Sequence, residues 1–114
     1  MTSYYDLEQV IRLQDVMGKD VAAIVAPMVA DMTEAIEEIE EAMAGGDLDR
    51  VTRAAHRCRN DAMVLGAHQL LRALTELEAA TRDLDATRAA AALEHVRAVW
   101  PPTRDELTAG AESA

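Results

Sequence analysis

Apolar residues recur along this chain at steps of three and four, the spacing that lines one face of a helix. The longest series is Val21, Ile24, Val25, Met28, Met32, Ile36, Ile39 and Met43. It predicts a helix over about 19–44, with an acidic opposite face of Glu34, Glu37, Glu38 and Glu41. Pro27 lies inside the pattern and is expected to kink the helix or mark its first turns. Upstream, Leu7, Val10, Ile11 and Leu13 predict a shorter helix over about 6–17, stopped by Gly18. Downstream, Leu48, Val51, Ala55, Cys58, Ala62 and Leu65 predict a helix over about 48–65. Leu70, Leu71, Leu74 and Leu77 predict another over about 67–82. Ala89, Leu93, Val96 and Val99 predict a last one over about 86–100.

The punctuation between these stripes agrees with them. In "AGGD" (44–47) the glycines supply a positive-φ exit and Asp47 a cap for the next helix. Gly66 closes the third helix, and Asp83 or Asp85 in "RDLDATR" (82–88) caps the fifth. Pro101 and Pro102 are expected to stop or kink that helix, and a Thr103–Glu106 capping box suggests one more short turn. Short connections make successive helices antiparallel. The expected fold is all-α, an up-and-down four-helix bundle with a short extra N-terminal helix. It divides into a leader over 1–18, the bundle over 19–109 and a frayed tail over 110–114.

Composition narrows the function classes. The chain has 114 residues, enough for one core, and is half hydrophobic and 28% charged, as in a globular protein. A net charge of −10 argues against nucleic acid and against an anionic membrane surface. Cys58 is the single cysteine, so no intramolecular disulfide forms, and no Cys/His cluster has zinc spacing. "MTSYYDLEQV" has no signal-peptide pattern, and "VAAIVAPMVA" (21–30) is too short to cross a bilayer. A cytoplasmic monomer is the expectation.

One stretch, "AHRCRNDAMVLGA" (55–67), carries candidate chemistry. His56 lies about 100° around the helix from Ala55 on the core stripe. His56, Arg59, Asn60 and Met63 therefore form a ridge beside the buried one, and Arg53 and Arg57 extend it around the exposed side. The result is a solvent-facing imidazole with cationic neighbours in an acidic chain. His68 and His95 read as ordinary surface residues, and Cys58 as a small buried hydrophobe.

This stretch resembles the histidine-containing phosphotransfer (HPt) domain of phosphorelays, whose motif runs approximately A-H-x-L-K-G-S-S-x-x-x-G-A. Ala55 and His56 match the opening, Cys58 the apolar position, Arg59 the basic one, and Gly66 with Ala67 the closing pair. "AMAGGDLDRVTRAAH" looks like the family's run into the histidine helix, and "LLRALTELE" like the helix after it. The resemblance implies that His56 accepts a phosphoryl group, on Nε2, from an aspartate of a response-regulator receiver domain or of a receiver fused to a hybrid histidine kinase. It implies that Arg59 stabilises the phosphoryl charge, for which a guanidinium fork is well suited. Arg53, Arg57 and Met63 are then expected to dock the partner.

Three positions depart from the motif: Asn60, and Asp61 and Ala62 in place of the pair of small polar residues. Asn60 stands where the family has a glycine, and either narrows the room beside the imidazole or donates a hydrogen bond to the phosphoryl group. Asp61 adds an anion about 140° around the helix from His56. The sequence carries no nucleotide loop and no acidic Mg²⁺ pocket. Its acidic residues gather on the long helix rather than around His56. The expectation is a phosphocarrier without its own ATP site or cofactor, the Mg²⁺ belonging to the partner receiver. The alternative, suggested by Asn60 and Asp61, is an HPt-like interaction module that binds a receiver or another regulator without being phosphorylated.

Overall fold

The computed structural model describes residues 3–18 and 20–113, without the side chains of 112 and 113. Five helices follow one another: α1 (Leu7–Met17), α2 (Val21–Ala44), α3 (Leu48–Leu65), α4 (His68–Arg82) and α5 (Ala86–Ser113). α3 packs between α2 and α4, and α5 packs against α4 and α2, which closes a four-helix ring. α1 lies against the ends of α2 and α3. The all-α bundle with an extra N-terminal helix is the fold expected from the hydrophobic pattern. Position 19, the expected start of the second helix, lies outside the described residues, as does Ala114 of the tail.

Aspartates start four of the helices. Asp6, Asp20, Asp47 and Asp85 each accept a hydrogen bond from the backbone N–H three residues on, at 2.8–3.2 Å. Each thereby satisfies a donor that the helix itself leaves free. Of the two caps proposed for the last helix, Asp85 fills the position. α4 starts without a side-chain cap, at Ala67.

The core is built from aliphatic side chains and alanines. Met32, Ile39, Leu65, Leu70, Leu74, Leu77 and Val96 fill its centre. Ala35, Ala42, Ala54, Ala55, Ala62, Ala73 and Ala89, all buried, let the helices approach closely. The core stripes of α2 to α5 fall where periodicity placed them, with Met28, Met43, Leu48 and Leu71 only partly buried. α1 departs from expectation. Of its four stripe residues only Val10 is buried, while Leu7 and Ile11 are exposed.

The end of the chain also differs. α5 does not stop at Trp100 but continues through Pro101 and Pro102 to Ser113, so residues 110–113 extend the helix instead of fraying. Thr103 is no cap: it is fully buried and its hydroxyl donates to the Val99 carbonyl at 2.6 Å. Burial of Trp100, Thr103 and Leu107 holds the helix to the bundle beyond the prolines. Glu106, the other half of the expected capping box, accepts from the Ser3 hydroxyl at 2.9 Å and the Tyr4 N–H at 3.0 Å. Tyr5 is buried with its hydroxyl against Gly110, where any side chain would collide with it.

The N-terminal segment is therefore part of the bundle. It also caps the helix that carries His56. The Gln9 amide donates to the carbonyls of Met63 and Val64 at 2.7 and 2.6 Å, and the Asp6 N–H to that of Leu65 at 3.3 Å. Gly66 ends α3 in the left-handed conformation, φ +67°. A Cβ there would lie 2.5 Å from that of Asp6, so the glycine serves both the turn and the seat of the leader.

Candidate functional site

α3 buries Val51, Ala54, Ala55, Cys58, Ala62 and Leu65, which turns His56 outward at the rim of the α3–α4 seam. The His56 side chain is 49% exposed. Its Nδ1 lies 3.2 Å from Oε1 of Glu78, on α4. Glu78 is 1% exposed, although it is charged. Two arginines share it with the imidazole. Arg82, one turn on along α4, places a terminal nitrogen 2.5 Å from Oε1. Arg59 places Nε 3.4 Å from Oε2 and a terminal nitrogen 3.3 Å from His56 Nδ1.

This geometry selects one form of the imidazole. A bare Nδ1 lone pair would face a buried carboxylate oxygen, an unfavourable contact at low local dielectric. A protonated Nδ1 donates a charge-assisted hydrogen bond to it. In the neutral ring Nδ1 therefore carries the proton, and the Nε2 lone pair is left free on a half-exposed side chain. The Arg59 nitrogen near Nδ1 then stands beside another donor and makes no hydrogen bond to it. Arg59 Nε and Glu78 Oε2 are the buried side-chain polar atoms left without a hydrogen-bond partner among the described residues. At 3.4 Å they form a close ion pair with poor alignment.

The sequence-derived site residues fall as follows. Asn60 is exposed one turn beyond His56, and Met63 is 52% exposed beyond it. Arg53 and Arg57 are exposed but engaged, Arg53 with Asp49 at 3.4 Å and Arg57 with Glu38 of α2 at 2.9 Å. The bonds from Arg57 and Arg50 hold the Glu38 carboxyl below its usual range. Gly66 and Ala67 are buried at the α3–α4 turn, away from the imidazole. Asp61 belongs to the α2 side: burial and then the charge of Asp31 raise its carboxyl above the usual range, with Arg57 opposing. Cys58 is buried, and desolvation pushes its thiol up to about 12, so it remains an unreactive part of the core.

The expectation that acidic residues stay away from His56 is corrected by Glu78. Periodicity carried the signal. Leu70, Leu74, Leu77, Glu78 and Thr81 lie on one stripe of α4, and all are buried. A glutamate on a core stripe needs a polar partner on the facing helix. The facing residues at that level include Thr52, whose hydroxyl lies 2.6 Å from that of Thr81, and His56 itself.

Residues 23–109 match the Hpt domain family. The chain belongs to that family. The Hpt match starts inside α2 and leaves α1 outside. Solved structures extend the likeness of fold to the whole molecule. Histidine-containing phosphotransfer protein B of Pseudomonas aeruginosa superposes with a TM-score of 0.90 at 22% identity, covering 100% of this chain and 99% of its own. A rice protein assigned as a histidine-containing phosphotransfer protein gives 0.81 at 20% identity, covering 96% of this chain and 80% of its own. No curated protein matches the chain in sequence. Membership gives this Hpt domain a phosphotransfer role in two-component signalling, as a phosphocarrier rather than a kinase. No described helix is long and apolar enough to cross a membrane.

Proposed function

We propose that this Hpt domain is a cytoplasmic phosphorelay intermediate that carries a phosphoryl group on His56 Nε2. It exchanges that group with the aspartate of a response-regulator receiver domain, free or fused to a hybrid histidine kinase. The observation that carries the reading is the 3.2 Å contact between His56 Nδ1 and the buried Glu78 carboxylate. With the proton held on Nδ1, Nε2 needs no base. Its lone pair attacks phosphorus, the bond from phosphorus to the aspartyl oxygen breaks, and the aspartate leaves as a carboxylate. The ring becomes an Nε2-phosphorylated imidazolium, whose positive charge meets Glu78. Such a transfer has a loose transition state, so positioning and cations matter most. Arg59 is the cation nearest the ring. Asn60, exposed on the same ridge, is placed to hydrogen-bond a phosphoryl oxygen. Met63, Arg53 and Arg57 border the site as docking residues. The Mg²⁺ that such a transfer uses belongs to the receiver, and the carrier works as a monomer.

The test is labelling by a panel of phosphorylated receivers. The wild type is expected to gain an acid-labile, base-stable phosphate, and His56→Gln none. Label persisting in the variant would remove His56 as the acceptor. Binding without label from every receiver would instead favour an unphosphorylated interaction module.

A further inference from the structure

Glu78 poses a problem that the proposed function does not resolve. A carboxylate 1% exposed must keep a cation, because an unpaired charge at such a position is strongly unfavourable. Arg59 supplies part of that compensation, yet Arg59 is also the cation that must serve the phosphoryl group on Nε2, the far side of the ring from Nδ1. One guanidinium cannot do both. The contact distances suggest how the conflict is settled. Neither arginine makes a hydrogen bond to Glu78, but the ion pair of Arg82 is the shorter, 2.5 Å against 3.4 Å for Arg59. Arg82 lies one turn along the same helix as Glu78, so its hold does not depend on α3. It is the last residue of α4, where a cation is favoured by the helix dipole.

We propose that Arg82 is the resident counter-ion of Glu78, a positioning residue that frees Arg59 to move from the carboxylate to the phosphoryl group. The inference rests on the phosphoacceptor role of His56. In the resting protein Glu78 is held by both arginines and by Nδ1–H. In the phosphorylated protein Arg59 turns to the phosphoryl oxygens, and Glu78 keeps Arg82 and the ring N–H. Without Arg82, Arg59 is the one arginine left to the buried carboxylate, closes on it and is lost to the phosphoryl group.

The full chain is compared as wild type, Arg82→Ala, Arg82→Lys, Glu78→Gln and the Arg82→Ala/Glu78→Gln double variant. The first readout is the Arg59 Nε–H resonance of the unphosphorylated protein. In Arg82→Ala it is expected to move downfield and to exchange more slowly with water, and in the double variant to lose both changes. The second is the rate of transfer from a phosphorylated receiver. Arg82→Ala is expected to slow it about tenfold, the low end of the losses found when outer partners of metal-bound histidines are removed. Arg82→Lys keeps most of the rate, and in the Glu78→Gln background Arg82→Ala has little further effect. An Arg59 resonance unmoved in Arg82→Ala overturns the counter-ion role, whether or not the chain accepts phosphate. A full rate loss in the Glu78→Gln background overturns the release of Arg59. A wild type that no receiver labels defeats the phosphocarrier reading instead, and the resonance test still decides the ionic arrangement.

Discussion

Glu78 stands where helix periodicity would put a leucine. His56 was legible as a candidate because its motif is local: Ala55, Arg59, Gly66 and Ala67 lie within one stretch. Glu78 was not, because the link is a contact between helices 22 residues apart. Removing one partner of a buried ion pair leaves the other uncompensated and is destabilising, by up to about 3–5 kcal/mol. Glu78→Leu leaves the buried Nε of Arg59 without its carboxylate, so it is expected to unfold at a lower urea concentration and to accept phosphate about tenfold or more slowly. An unchanged midpoint would show that the cluster serves the ring and not the fold. Asp61 gives a second residue-scale test. Its raised carboxyl binds a proton more tightly folded than unfolded. The stabilisation from that proton is present in acid and is lost as pH rises through the raised value. Asp61→Asn should therefore be more stable than wild type at neutral pH, with an advantage that shrinks on acidification. An advantage independent of pH between 7 and 4 would rule out this cause.

At the scale of the elements, the helices were readable where a stripe and its punctuation agreed, as with Asp47 before α3 and Gly66 after it. They were misread where a local breaker was outweighed by distant packing. Two prolines in a row locally favour a stop, since they remove two helical N–H donors. The burial of Trp100, Thr103 and Leu107, and the clasp of Ser3 and Tyr4 on Glu106, carry α5 past them. The α3–α4 turn offers a controlled measurement of such packing. Gly46 and Gly66 both have left-handed backbone, φ +72° and +67°, but only Gly66 has a neighbour where a Cβ would go. Alanine in that conformation costs about 1–2 kcal/mol from the backbone alone. Gly46→Ala is expected to lose that amount, and Gly66→Ala clearly more, because Asp6 and with it α1 must shift. Denaturant midpoints compare the two; equal losses would mean that the seat of Asp6 adds nothing.

Over the whole molecule, the four-helix ring follows from amphipathic stripes and short turns, which act between sequence neighbours. The docking of α1 does not, since it depends on Gln9 reaching carbonyls 54 and 55 residues away and on Glu106 reaching residues more than 100 away. That docking gives the molecule a lopsided surface. Apart from Leu84, the exposed large apolar side chains among the described residues stand on α1 or the last turns of α3: Leu7, Ile11, Val16, Met17, Met63 and Val64. Val16 and Val64 line one shallow depression there with Leu13. This face continues the ridge that carries His56 and Asn60. A chain lacking residues 1–18 tests what it does. Its ring helices keep their mutual contacts, so unfolding should stay cooperative. Stability should fall by at least about 3 kcal/mol, from the lost burial of Val10 and Tyr5 and the uncapped carbonyls of α3. His56, Glu78, Arg59 and Arg82 are untouched, so the maximal rate of phosphoryl transfer should persist. The receiver concentration needed to reach half that rate should rise severalfold, because a receiver docked beside His56 would lose its apolar contacts on α1. An unchanged requirement for receiver would confine α1 to holding the end of α3. A maximal rate that falls with the stability would instead mean that the leader, through Gln9 and Asp6, keeps the histidine helix in register with Glu78.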